Sequence, residues 1–359
     1  MKFPSLICAF LSIVFLANGT ICFGFETDQY DRPPVPLADI GDEVSDYALN
    51  ALFEVVANLN AEIAIRQTCV EKSNCDDPNE DRERLRYLRS DDAVAHGLYK
   101  KLGDGTFPLT KVGNWINTHE FRGQPARYKT SYGESIFVLL PTNYVTISPT
   151  IRMYGAEFGV DKIEHLFQQG YTYYKINRDA AAEGKSPDEA AKKAVKWGRV
   201  SERTFYGSMV SGVFSNADLY ANYAGMRFYQ GLTKLLKIGG RTRPPVLALK
   251  NGSWFINETG DLHQTFLRPF ISEHLNEALN PSIFSFYLRP SIRHIVKKRA
   301  CPQWTNAFPT LTKAELEATA LRLNRWNGED YGFTKSRKFI TIANSCFSDL
   351  PTIGRDPAH

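Results

Sequence analysis

No stretch of this chain carries five basic residues in succession, and the net charge is only +4 over 359 residues. Zinc-finger spacing is also missing, so a nucleic-acid partner is not expected. The chain lacks GxSxG, GxxxxGK[ST], HExxH and GxGxxG patterns, which excludes the reaction classes that those short motifs announce. There is no low-complexity tract and no internal repeat. With 43% hydrophobic and 23% charged residues the chain can bury a sizeable core, and global disorder is excluded. Beyond residue 17 no apolar run approaches the roughly 20 residues of a membrane span, so no transmembrane span is expected after the leader. No metal or cofactor is expected either.

The N-terminus is where an apolar run does occur. Met1-Lys2 precedes LICAFLSIVFLA (Leu6 to Ala17) and the small residues of NGT. A short positive start, an apolar stretch of about a dozen residues and a small-residue exit describe a secretory signal, with cleavage in the 19–24 region. The protein is therefore expected to be secreted or periplasmic. Removal of residues 1–24 leaves Cys69, Cys75, Cys301 and Cys346. An even count in an exported chain favours disulfides. Three pairings are open; Cys69–Cys75 with Cys301–Cys346 is the preferred one.

Pro33, Pro34 and Pro36 mark residues 25–41 as an extended linker. A single globular domain is expected over 42–350, with a helical core at 150–237 and a tail at 351–359. Helical spacing of apolar residues predicts helices over 42–66, 91–101, 159–177, 187–207 and 215–237. Ser186-Pro187-Asp188-Glu189 and Thr312 with Glu315 are capping boxes. Asn251-Gly252 between apolar runs predicts a hairpin. SIFVLLP (135–141) and YVTIS (144–148) read as short strands, and 264–277 as a helix. The fold class is mainly α: a helical bundle core with small β hairpins and long loops.

Two helices carry three polar residues on faces built for burial. Glu202 shares a face with Ala191, Ala194, Val195 and Gly198; Asp218 and Asn222 share one with Ala221, Gly225 and Tyr229. Small residues on these faces permit close helix approach. A buried carboxylate must take up a proton or find a cation. His165, one turn from Asp161, is a candidate cation, although a helical wheel places both on the wet side. Asp218 also fits the first turn of a capping box opened by Ser215, so an ordinary capping role stays open. The group is either a satisfied structural network or a catalytic and binding site.

The order DKxxH, then a glutamate, then FSxxDLxANxAG resembles the core pattern of VanZ-like proteins and the related YfiM-type envelope lipoproteins. Here it is carried by Asp161, Lys162, His165, Glu202, Phe214, Ser215, Asp218, Leu219, Ala221, Asn222, Ala224 and Gly225. Glu164 stands where those families usually have Gly, and the helices are richer in Lys and Arg than membrane-spanning ones. The resemblance implies a cell-envelope role and one spatial group for His165, Glu202, Asp218 and Asn222, with no settled activity.

Two functions follow. In a hydrolase acting on envelope lipid or glycan, Glu202 is the general acid or base, with Asp218 and His165 as its catalytic partners. Asn222 and Asp161 position substrate, and Tyr171 and Tyr174 form an aromatic wall. In a non-catalytic envelope or secreted protein, the same cluster locks helices in register while aromatic loops bind glycan or lipid. Under that second reading, Glu202→Gln should cost a few kcal/mol of stability. His274-x-x-Glu277 is a weak metal pair, common by chance, that a surface helix explains. The loop from His119 to Lys129 is either an anion- or glycan-contacting segment or simply solvated.

Overall fold

The computed structural model describes residues 26–72, 76–105, 110–139, 147–204, 212–257, 262–333 and 338–347. The expected signal and tail lie outside these residues.

Helix α1 (Gly41–Lys72) opens with Asp42 and Glu43 and closes on Lys72, charges that suit its dipole. Its Val44, Ala48, Leu49, Leu52, Val55 and Val56 enter the core. By length and composition α1 could cross a membrane, with a mean hydropathy of 1.3 in its best window, which the sequence reading did not recognise. In the fold, Glu54 and Glu62 on its outer side pair with Lys101 and Arg84. Helices α2 (Pro78–Leu88), α3 (Asp91–Leu102) and α4 (Lys111–Thr118) follow, capped by Asp77, Ser90 and Thr110.

Strands β1 (Thr150–Met153) and β2 (Ala156–Gly159) form a hairpin over Tyr154-Gly155, both at positive φ (52° and 84°). Strand β2 runs straight into α5 (Val160–Ala182), so the hairpin fixes where α5 begins. Helix α6 (Pro187–Arg203) starts at the expected Ser186–Glu189 capping box. Strand β3 (Val213–Phe214) leads into α7 (Asn216–Gly231). Two more hairpins follow: β4 (Leu236–Ile238) with β5 (Arg241–Arg243), and β6 (Leu247–Lys250) with β7 (Ser253–Ile256) across Asn251-Gly252.

Strand β8 (Ser282–Phe284) leads to α8 (Arg289–Ile295), a π-helical turn (Val296–Ala300) and α9 (Cys301–Ala307). After α10 (Lys313–Arg322), with its Thr312–Glu315 box, come the β9 (Arg325–Trp326) and β10 (Glu329–Asp330) pair, β11 (Phe339–Ile340) and α11 (Ile342–Cys346). The one sheet of three strands among the described residues has the order β11-β8-β3. The architecture is mainly α with small β hairpins, as the sequence predicts.

A larger core is built on α1, α3, α5 and α7; a smaller one gathers Tyr30, Phe284, Leu288, Ile292, Val296, Trp304 and Ile340. The Cys301–Cys346 disulfide joins α9 to α11 with a Cα–Cα distance of 5.2 Å. The proposed Cys69–Cys75 pair involves Cys75, which lies outside the described residues.

Three local expectations are corrected. Ser135–Leu139 turns instead of extending, because Asp28 and Ser135 side chains take the amides of Ile136 and Phe137; most of the YVTIS stretch lies outside the described residues. Between 264 and 277 there is no long helix but two 3₁₀ turns, Arg268–Phe270 and Glu273–Leu275, the first holding Pro269. Finally, the extended linker reading fails for its first part: Glu26 to Asp31 are all buried. This polar segment is tolerated inside because its side chains are hydrogen-bonded by distant parts of the chain.

Candidate functional site

Eight consecutive residues at the start of α5, Val160 to Phe167, are buried. One side packs on the core; the other is roofed by residues 26–31 and the segment around Glu277. This two-sided burial places Lys162 where water does not reach, with 0% exposure. Its Nζ donates to Asp161 Oδ2 at 2.6 Å, Asp218 Oδ1 at 2.5 Å and Glu277 Oε1 at 2.5 Å. The three acceptors come from α5, the first turn of α7 and the loop before β8. An ammonium has three hydrogens, and all three are used.

The shell around this triad is equally buried. Thr27 Oγ1 donates to Asp161 Oδ1 at 2.6 Å, and the Gln29 side-chain oxygen accepts the Glu277 amide. Asp218 Oδ1 also lies 3.9 Å from His165 Nε2, while His165 Nδ1 and Asn222 Oδ1 are 3.0 Å apart. With the amide oxygen as acceptor, Nδ1 is the donor and Nε2 faces the carboxylate. Ser215 Oγ accepts the Asp218 amide, so Ser215 caps α7; the Asp218 carboxylate itself is spent on Lys162. Capping is thus only half of what brings Asp218 here.

Five carboxyl groups (Glu26, Asp161, Glu202, Asp218 and Glu277) act on a single ammonium. Burial, and then the Asp218 charge, push Glu202 well above the usual carboxylate range despite Lys162. Glu277 rises to about 7 by burial, offset in part by Lys162 and reinforced by Asp218 and Asp161. Burial would raise Asp218 too, but the charges of Lys162 and His165 outweigh it and hold it low. Lys162 is kept protonated: burial opposes its charge, and the surrounding carboxylates overcome that. These directions favour a proton on Glu202, the ammonium on Lys162 and the negative charge on Asp218.

Glu202 is 2% exposed. Tyr173 of α5 projects against Gly198 of α6: a methyl group on Gly198 would lie 1.4 Å from its hydroxyl oxygen. That hydroxyl is fully buried and meets no partner at bonding geometry, though Glu202 and Asn222 both act on it and burial raises its pKa. The Tyr173 hydroxyl and the Glu202 carboxyl thus act on each other in the interior region between α5 and α6.

Glu26, Asp218 and Glu277 present carboxylate oxygens within 4.8 Å of one another, the geometry of a metal site. Lys162 Nζ stands 2.5 Å from two of them, so an ammonium fills that position and the residues do not fit an added cation.

The candidate residues separate into two places. Asp161, His165, Glu202, Asp218 and Asn222 converge; the wet-side placement of Asp161 and His165 is corrected, since they are 1% and 8% exposed. Tyr171 and Tyr174 do not join them. They stack with Tyr99, His96 and Tyr229, and Tyr174 Oη donates to Asp92. His274 and Glu277 diverge: His274 bonds Ser272 and the Arg325 carbonyl, while Glu277 faces Lys162. Sequence reasoning missed Lys162 as the cation, and Glu26, Thr27 and Glu277 as its surroundings. The available signal was an Asp-Lys pair in a helical first turn flanked by Val160, Ile163 and Leu166, with acidic residues on every partner.

Comparison with protein-family models, with characterised proteins and with solved structures finds no match to this chain.

Proposed function

We propose that this is an exported or cell-envelope protein in which the Lys162 centre is a structural lock, and that contact with envelope lipid or glycan is made elsewhere on its surface. One observation carries the reading: Lys162, without solvent exposure, spends all three of its hydrogens on carboxylates from three separate segments. Nothing of that cation is left for a substrate. The residues shared with the VanZ-like pattern, Asp161, Lys162, His165, Glu202, Asp218 and Asn222, meet at this centre, which supports the envelope assignment. Two variants of the exported chain test the lock. Lys162→Met should unfold at far lower denaturant, while Glu202→Gln, replacing a neutral acid by a neutral amide, should melt close to the parent. A Lys162→Met protein as stable as the parent would refute it.

A second reading is favoured by Glu202 itself. A buried acid with a raised pKa, acting on Asp218, which in turn lies 3.9 Å from His165, has the make-up of a general acid–base site. It requires that Glu202→Gln abolish hydrolysis of envelope glycan or lipid while leaving the melting temperature intact.

A further inference from the structure

Between Glu277 and Glu315 the chain contains no acidic residue, yet it holds Arg289, Arg293, Lys297, Lys298, Arg299 and Lys313. The fold gathers most of these on one rod, α8–π-turn–α9. The inward residues of the rod are Leu288, Ile292, Val296, Ala300 and Trp304, a strict repeat of four. A pure α-helix gains about 40° every four residues, so this stripe would wind away from the core. The wider π-turn at Val296–Ala300 takes up that drift and keeps the stripe inward. Its consequence is that His294, Lys297 and Lys298 stay on the outer face, all exposed. Arg299 is drawn off by Glu134, whereas His294, Lys297 and Lys298 have no acidic partner among the described residues.

At the N-terminal end of the same rod stand the two most exposed rings among the described residues. Phe286 is 77% exposed and Tyr287 55%, packed edge to face on each other at 5.6 Å. They directly precede α8, so the apolar tip adjoins the N-terminal end of the cationic rod. Isolated exposed hydrophobics need no explanation, but two adjacent rings beside unpaired cations do.

We propose that Phe286, Tyr287, His294, Lys297 and Lys298 form a docking surface for an anionic phospholipid bilayer. The rings enter the headgroup region, where amphipathic aromatics are stable, and the cations meet lipid phosphates. Charge complementarity sets the choice of occupant, and the rings distinguish a bilayer from a soluble polyanion, which offers them no apolar layer. The proposal deepens the envelope assignment above and supplies the contact that assignment leaves elsewhere on the surface. It does not depend on the Lys162 centre.

The test is cosedimentation of the natively processed chain with vesicles of phosphatidylcholine, alone or mixed equally with phosphatidylglycerol. Binding is expected to the mixed vesicles only and to weaken with salt. Neutralising both lysines (Lys297→Gln with Lys298→Gln) should cost about thirtyfold in affinity. Phe286→Ser with Tyr287→Ser should weaken binding at low salt as well, and Phe286→Trp should shift its emission to the blue on binding. All these positions are exposed, so unchanged circular dichroism checks the fold. Equal binding to both vesicle types, no binding, or binding to a soluble polyanion that ignores the ring substitutions would each overturn the proposal. None of these outcomes bears on whether the chain is exported, which fractionation of the producing cells reports separately.

Discussion

Gly170 of α5 and Gly225 of α7 meet backbone to backbone: a methyl group on Gly170 would lie 2.5 Å from Gly225 Cα, and one on Gly225 2.0 Å from the Leu166 carbonyl oxygen. This crossing brings the two helices close enough for His165 to reach Asn222 at 3.0 Å and Lys162 to reach Asp218 at 2.5 Å. Because the obstructing atoms are backbone, no rotamer change relieves an added Cβ. Gly225→Ala should therefore destabilise by about 1–3 kcal/mol through overpacking. Urea denaturation measures it. Since Gly170→Ala forces the same helices apart, the double variant should cost less than the two single changes together.

Lys162 supplies a second prediction. Removing one member of a buried charge network leaves the others uncompensated, at about 3–5 kcal/mol. Lys162→Met should show this loss at neutral pH. The loss should shrink in acid, where Asp218 and Glu277 can take protons and no longer need the ammonium. A deficit that is the same at pH values on both sides of the carboxylate range would mean that lost packing, not charge, is responsible.

The pH dependence of the parent follows from the same groups. Glu277 and Glu164 rise to about 7 and Asp28 to about 6, chiefly by burial, and Glu202 is raised further. Each binds its proton more tightly folded than unfolded, so its contribution is full below its unfolded pKa and is lost as pH rises through the folded one. Asp218 has the opposite sign: its lowered pKa contributes above the unfolded value and is lost as pH falls. Stability should accordingly peak in mild acid and decline from about pH 4.5 to 7. Melting temperatures across that range decide it; a maximum above pH 7 would contradict the assigned proton positions.

The sequence made the helices legible because their signals are local. Ser186 and Glu189, Thr312 and Glu315, and Asn251-Gly252 each specify an end or a turn within four residues. The small-residue faces also announced close packing, and Gly225 and Gly198 are where it occurs. What stayed hidden depends on distant chain. A wheel puts His165 and Asp161 on the wet side of α5, since nothing nearby says that residues 26–31 return to cover it. Lys162 reads as an ordinary helix-surface lysine until Glu277, 115 positions away, is seen beside it. The Pro-rich stretch disguised its own beginning: Pro33 to Pro36 is a connector, but the residues before it are core.

That covering segment gives the last prediction, and it separates two substitutions that look alike. Asp28 Oδ1 accepts the amides of Tyr30 and Asp31 at 3.1 and 3.3 Å, and Oδ2 accepts that of Ile136 at 2.8 Å. Both oxygens are thus acceptors for buried N–H groups. Asp28→Asn keeps the shape but turns one oxygen into a donor facing a donor, leaving at least one amide unsatisfied. The cost should be about 1–3 kcal/mol. Glu202→Gln is chemically the same exchange, and the sequence suggested a similar penalty under the non-catalytic reading and almost none under the enzymatic one. In the fold burial pushes the Glu202 carboxyl well above the usual carboxylate range, so exchanging it for a neutral amide should be nearly silent in urea denaturation. The contrast tests the assignment directly: equal losses at the two positions would show that Glu202 is an ionised acceptor, and the proton placed on it would have to be moved to Glu277.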